Sequence, residues 1–94
     1  MPAYLMTRED RQTLYDTFRQ TLNGGRIELN TEVQGLDARI RGRLLLAIAC
    51  FSRFHPASDH STGSFRFAGW IVTFEIHDEP SGLVMLVGMQ EGVS

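Results

Sequence analysis

The chain has 94 residues, of which 43% are hydrophobic and 21% charged, and its formal net charge is −2. This composition is typical of one globular domain and excludes a disordered or fibrous chain. The longest apolar run, residues 44–51, is far shorter than the ~20 residues that cross a bilayer. The N-terminus also lacks the apolar core of a signal peptide. We therefore expect a soluble, cytoplasmic protein with no membrane partner.

The first predicted element is a helix. Thr7 can cap it, Asp10 completes a capping box three residues later, and apolar residues then recur at helical spacing. These apolar residues are Leu14, Tyr15, Phe18 and Leu22. The polar residues expected to face solvent are Arg8, Gln12, Asp16 and Arg19. Residues 23–25, Asn-Gly-Gly, end the helix, and residues 26–31 alternate between polar and apolar as a half-buried strand does.

A second helix is predicted to follow a short connector, with Asp37 as its N-cap, and to run to about Phe54. Its core stripe consists of Ile40, Leu44, Ala47, Ile48 and Phe51. Another face carries Arg39, Arg43 and Arg53 around Leu46 and Cys50. An apolar patch framed by arginines is typical of a protein interface. A central helix that packs on two sides would give the same pattern.

The remaining chain predicts three strands. Residues 64–68 and 70–77 alternate and form a hairpin that turns at Ala68-Gly69, and residues 83–89 are apolar on both faces. We expect that last strand to be covered or interior. The predicted fold is a single α+β domain over residues 1–94, in the order α-β-α-β-β-β, with a mainly antiparallel sheet and two helices packed on it. Residues 1–6 and 90–94 are expected to fray.

Charge is distributed unevenly along the chain. Residues 1–54 contain eight arginines and six acidic residues, whereas residues 55–94 contain one arginine and five acidic residues. Ordinary solvated surface accounts for this asymmetry, and so does a docking face for a charged partner. Asp59, Asp78 and Glu79 are the acidic residues that we expect at such a face.

Patterns that would indicate catalysis or metal binding are weak. Cys50 lies inside an apolar helix, where a thiol is usually inert. The chain has no glycine-rich phosphate loop. The residues that supply imidazole and carboxylate groups lack a recognised ligand spacing; they are His55, His60, His77, Asp59 and Asp78. We expect no enzyme activity, no cofactor and no metal, and the loop around His60 is either a site or ordinary solvated surface.

Two stretches carry a family resemblance. The first is Gly24-Gly25, then a strand that ends at Thr31, then Val33 and Leu36; the second is a Phe-x-x-Phe-x-Pro-x-x-Asp stretch formed by Phe51, Phe54, Pro56 and Asp59. With Asp78 at the end of a later strand, the segment from residue 15 to 78 resembles a domain of unknown function in small alphaproteobacterial proteins, often encoded on plasmids and genomic islands. The chain departs from that family at residues 60–64 and 73–78, where most of the family's acidic-histidine cluster is replaced.

The resemblance implies a phage or mobile-element protein that acts by stoichiometric binding. We expect an inhibitor that resembles anti-CRISPR proteins and blocks a host defence complex, such as a CRISPR effector. Its partner-binding residues are expected to be Arg39, Arg43, Leu46, Arg53, Asp59, Asp78 and Glu79. The alternative is a nucleic-acid-binding accessory or regulatory protein of a mobile element, which would use the arginines of the second helix. A homodimer through the Leu46–Cys50 face or an edge strand also stays open.

Overall fold

The computed structural model describes residues 7–92, which form three helices and a four-stranded sheet. The helices are α1 (Arg8–Thr21), α2 (Thr31–Gln34) and α3 (Ala38–Ala49). The strands are β1 (Gly25–Leu29), β2 (Thr62–Phe67), β3 (Trp70–Glu79) and β4 (Gly82–Glu91). The predicted α+β class is confirmed, with α2 as an additional short helix. The predicted fraying of residues 1–6 and 93–94 lies outside the described residues.

The strands are arranged in the order β1-β4-β3-β2. β2 and β3 form an antiparallel hairpin, as do β3 and β4, whereas β1 runs parallel to β4. The sheet is therefore mainly antiparallel, as predicted, although its parallel pair was not foreseen. β4 lies between two strands, in agreement with the interior position that its apolar residues predict.

One face of the sheet packs against the helices and forms the core. Alternate residues of β3 and β4 lie in this core with Phe18 of α1 and Leu44 and Ile48 of α3. The strand residues are Val72, Phe74, Ile76, Leu83, Met85, Val87 and Met89. The opposite face presents polar side chains along β2 and β3, and these side chains are exposed. The helices and the sheet thus form two layers, with one sheet face open.

The ends of α1 follow from local chemistry. The backbone N–H of Asp10 donates to Thr7 Oγ1 at 3.1 Å, and the backbone N–H of Thr7 donates to Asp10 Oδ2 at 3.2 Å. This reciprocal pair is the predicted capping box. At the other end Leu22 takes a left-handed conformation with φ 60°, which ends the helix just before the glycines.

The structure corrects the predicted boundaries at three places. The strand predicted for residues 26–31 ends at Leu29, because the Asn30 side chain accepts a hydrogen bond from the backbone of Val33 and caps α2. The helix predicted to reach Phe54 ends at Ala49. The last strand, predicted over residues 83–89, runs from Gly82 to Glu91, and Glu91 pairs with Trp70.

The early end of α3 turns two aromatic rings towards the sheet. The Phe51 ring lies 5.4 Å from the Phe74 ring and 5.8 Å from the Phe65 ring, measured between centroids. The Phe54 ring meets Phe51 edge-on at 4.8 Å. If α3 continued to Phe54, helical spacing would set the positions of these rings, and they would not form this cluster. Ile40, predicted in the core stripe, is 41% exposed near the start of α3.

Candidate functional site

An exposed face of α3 carries three of the predicted partner-binding residues. Leu46 is 64% exposed, more than any other large hydrophobic side chain described in residues 7–92. Arg39 and Arg43 are also exposed, and their spacing of seven and three residues places both on Leu46's side of the helix. Arg53 follows the end of α3, so its predicted helical spacing was wrong, but its side chain is exposed. We call Arg39, Arg43, Leu46, Cys50 and Arg53 the Leu46 surface.

Two clefts lie on either side of the segment that follows α3. The first has a volume of about 620 Å³ and is lined by residues that include Asp16, Arg19, Leu46, Ala49, Phe54 and His60. The second has a volume of about 550 Å³ and separates this segment from β2. Its lining includes Ala47, Phe51, Arg53, Ser64, Phe65 and Arg66. Cys50, Phe51 and Ser52 line both clefts, so the Leu46 surface has a concavity on each side.

The exposed arginines of this region have no carboxylate partner among residues 7–92. Within residues 7–92, none of Arg39, Arg43, Arg53 and Arg66 takes part in an ion pair. A guanidinium group is always charged and binds carboxylates or phosphates through two parallel hydrogen bonds. The surface therefore offers positive charge around an exposed leucine.

The first cleft contains a polar cluster that joins α1 to the loop before β2. His60 Nδ1 lies 2.9 Å and 3.1 Å from the two carboxylate oxygens of Asp16. The His60 ring stacks on the Phe54 ring at 4.0 Å, and its backbone takes a positive φ of 66°. Arg19 Nη1 donates to the same Asp16 carboxylate at 2.9 Å. These contacts hold the 55–61 loop against α1.

A histidine oriented by a carboxylate is also the arrangement that general-base catalysis uses. Within residues 7–92, however, no hydrogen bond joins the His60 imidazole to Cys50 or to a serine hydroxyl, and Ser58 Oγ accepts from the His60 backbone N–H at 2.9 Å. Potential metal ligands are likewise dispersed: in this part of the chain no three of them gather. His77 contacts Glu75 at 3.2 Å on the open sheet face, and His55 Nδ1 accepts a hydrogen bond from the backbone of Ala57.

The predicted acidic residues lie in the 55–61 loop and at the end of β3. Asp59 accepts a hydrogen bond from the backbone N–H of Ser61 at 3.0 Å, and its Oδ2 lies 3.6 Å from Arg11 Nε. Burial acts to raise the pKa of Asp59, but the hydrogen bonds from Ser61 and the charge of Arg11 outweigh it, so that the pKa is lowered. Asp59 is therefore partly engaged within the molecule.

Asp78 approaches the same region from the end of β3. Burial raises the pKa of the Tyr15 hydroxyl, and the negative charges of Asp78 and Asp59 raise it further against the smaller opposing effect of Arg11. Glu79 is exposed and pairs with Gly82 at the β3–β4 turn. Asp59 and Asp78 thus both act electrostatically on Tyr15, while Arg39, Arg43, Leu46 and Arg53 belong to α3 and the segment after it.

Sequence reasoning missed the cluster of Asp16, Arg19 and His60. It placed Asp16 and Arg19 on the solvent side of α1, whereas Arg19 is only 2% exposed. Their spacing of three residues was a signal for an ion pair on a helix. No comparable local signal exists for His60, which lies 44 residues from Asp16.

A comparison of the chain with protein-family models, curated proteins and solved structures found no match. The family resemblance of residues 15–78 therefore stays a prediction. None of the helices described in residues 7–92 is long and apolar enough to cross a membrane.

Proposed function

We propose that this protein is a non-enzymatic, protein-binding domain that acts stoichiometrically through the Leu46 surface. The observation that carries the proposal is the exposed Leu46, framed by arginines that take part in no ion pair within the described residues. Protein interfaces have this anatomy, in which an apolar centre is surrounded by a polar rim and arginine is enriched. The expected contact is an acidic surface of the partner protein.

We expect a few groups to supply most of the binding free energy of such a contact. Complete burial of an exposed leucine side chain contributes about 1.5–3 kcal/mol. The guanidinium groups add bidentate contacts that orient the partner more than they strengthen the complex. The clefts beside the Cys50–Ser52 segment can accept side chains that project from the partner. Leu46 is therefore the residue whose loss should weaken binding most.

The target class comes from the family resemblance. A phage or mobile-element protein of this size is expected to inhibit a host defence complex, and we propose a CRISPR effector as the target, in the manner of anti-CRISPR proteins. Asp59, Asp78 and Glu79 form a second candidate contact for a basic surface of that target. The partly engaged Asp59 makes this acidic group the weaker candidate of the two.

The test is capture of defined CRISPR effector complexes by the tagged protein in the presence of nuclease. We expect a near-stoichiometric complex that resists nuclease and weakens at least tenfold in the Leu46→Asp variant, because the charge would be buried against the partner. Ile40→Asp is the matched control, since Ile40 is a partly exposed apolar residue on another side of α3. This control should bind as the wild type does.

Two results would contradict the proposal. Equal binding by the wild type and Leu46→Asp would show that the Leu46 surface is not the interface. Failure to capture any effector would show that CRISPR effectors are not the target class. The second candidate function is nucleic-acid binding. It is favoured by four arginines that join no ion pair within residues 7–92, namely Arg39, Arg43, Arg53 and Arg66. Retention of nucleic acid alone, with affinity that falls steeply as salt rises, would support that function instead.

A further inference from the structure

The outer edge of β2 is an unpaired strand edge beside the Leu46 surface. In the part of the chain that the structure describes, residues 7–92, β2 is the last strand in the sheet order and pairs only with β3. Within residues 7–92, no hydrogen bond joins residues 62–67 to the segment that follows α3. An edge strand without a partner presents free N–H and C=O groups to any extended segment that approaches it.

The hairpin geometry identifies which backbone groups point outward. Phe67 and Trp70 flank a two-residue turn, so they form a hydrogen-bonded pair, and hydrogen-bonded pairs recur at every second residue. The hydrogen bond from the Ile76 N–H to the Ser61 carbonyl at 2.6 Å has the same parity. Gly63, Phe65 and Phe67 therefore bond to β3, and Thr62, Ser64 and Arg66 direct their N–H and C=O groups outward.

The groove beside this edge has the chemistry to select side chains. The second cleft lies between β2 and the end of α3, and Ala47, Phe51 and Phe65 provide its apolar lining. Arg53 lines the same cleft, whereas Arg66 borders it from the open face of the sheet, with its guanidinium beside Gly92. Neither arginine has an ion-pair partner within residues 7–92. An added strand would alternate its side chains between the groove and the open face of the sheet, where Arg66 lies.

We infer that the partner docks by adding an extended segment to the outer edge of β2, with alternating apolar and acidic side chains. The apolar side chains enter the groove, and the acidic ones meet Arg66 on the open face. This inference rests on the proposed protein-binding function and specifies its mode, which is strand addition. A second copy is disfavoured as the occupant, because β2 contains no acidic residue and its self-pairing would leave Arg66 without a carboxylate partner.

The opposite edge of the sheet lacks these features. β1 has five residues, and its two charged side chains already face each other, with Arg26 Nε 3.6 Å from Glu28 Oε1. The charge complementarity for an acidic strand is thus specific to β2.

The test selects random displayed peptides of eight residues on the immobilised protein. We expect enrichment of peptides that alternate apolar and acidic residues. Ser64→Pro should reduce their binding at least tenfold, because proline removes an outward N–H while the bonds to β3 remain. Arg66→Glu should have a similar effect through charge reversal. Ser64→Thr and Arg26→Glu are the matched controls and should bind as the wild type does, and melting curves confirm that each variant is folded.

Amide hydrogen exchange gives an independent readout that needs no variant. On addition of an enriched peptide, the amides of Thr62, Ser64 and Arg66 should exchange at least tenfold more slowly, while those of Gly63 and Phe65 change less. Absence of enrichment, enrichment of peptides with helical spacing, or protection confined to α3 would overturn strand addition. Normal effector binding by Ser64→Pro, together with lost binding by Leu46→Asp, would overturn it while leaving the proposed function intact.

Discussion

Arg19 shows how one buried cation can join three segments of a small fold. Its Nε donates to the Ile48 carbonyl at 2.9 Å and its Nη2 to the Phe51 carbonyl at 3.1 Å, at and beyond the end of α3. The guanidinium group also lies 4.9 Å from the centroid of the Phe54 ring. Carbonyls at a helix end lack partners within the helix, and a nearby cation suits the negative end of the helix dipole. Arg19 therefore helps to fix where α3 ends.

Replacement of Arg19 by methionine should destabilise the domain by about 3 kcal/mol. The Phe51 carbonyl would lose the Arg19 donor, the Ile48 carbonyl would keep only backbone N–H donors, and Asp16 would lose its ion pair with Arg19. The measurement is the free energy of unfolding from urea denaturation. Arg39→Met removes an exposed arginine as a control and should change this free energy by no more than about 0.5 kcal/mol. Similar losses in both variants would show that the buried hydrogen bonds of Arg19 contribute little.

The backbone of the β2–β3 turn is strained at Ala68, and a substitution there can relieve the strain. Ala68 has φ 49° and Gly69 has φ 84°, so both central residues are left-handed, as a type I′ turn requires. A left-handed conformation costs alanine about 1 kcal/mol, whereas asparagine adopts it more readily. Ala68→Asn should therefore raise the free energy of unfolding by about 0.5–1 kcal/mol, measured by urea denaturation. Ala57→Asn, outside the positive-φ positions, is the control, and equal effects of the two would contradict the strain.

The elements that the sequence predicts well are those specified by neighbouring residues. The capping box at Thr7 and the turn at Ala68-Gly69 are local signals, and the alternation in β3 and β4 reports burial directly. The parallel pairing of β1 with β4 joins residues far apart in the chain, so no local pattern contains it. The end of α3 was missed for the same reason, since it depends on Arg19 and on aromatic packing against the sheet.

The candidate site likewise has one part that the sequence predicts and another part that it does not. The exposed face with Arg39, Arg43 and Leu46 follows from helical spacing, which sequence provides. The groove beside β2 depends on which strand lies at the sheet edge and on the turn of the chain after Ala49, and neither is encoded locally. Residue types and their spacing therefore predict the exposed face of α3. Only the three-dimensional structure shows that this face lies beside the open edge of β2.

The whole molecule is held together across the 55–61 loop as well as by its core. Gln12 Nε2 donates to the Ser58 carbonyl at 2.7 Å, and Asp16 contacts His60, so two successive turns of α1 bind this loop. Asp59 adds its hydrogen bond from Ser61 and its approach to Arg11. The loop leads directly into β2, and its attachment to α1 therefore positions the strand edge as well as the helix layer.

This attachment should make stability depend on acid pH through Asp59. Because the folded state lowers the pKa of Asp59, the folded protein binds this proton more weakly than the unfolded chain does. The stabilisation is complete well above the ordinary aspartate pKa of about 3.9, and it is lost as pH falls through the lower folded value. Urea denaturation between pH 7 and pH 3 should find Asp59→Asn less stable than the wild type at neutral pH, with a difference that shrinks below about pH 4. Glu91→Gln removes an exposed carboxylate that joins no ion pair within residues 7–92, and this variant should keep the wild-type pH dependence. A difference between Asp59→Asn and the wild type that grows as pH falls would reverse the sign and contradict the assignment.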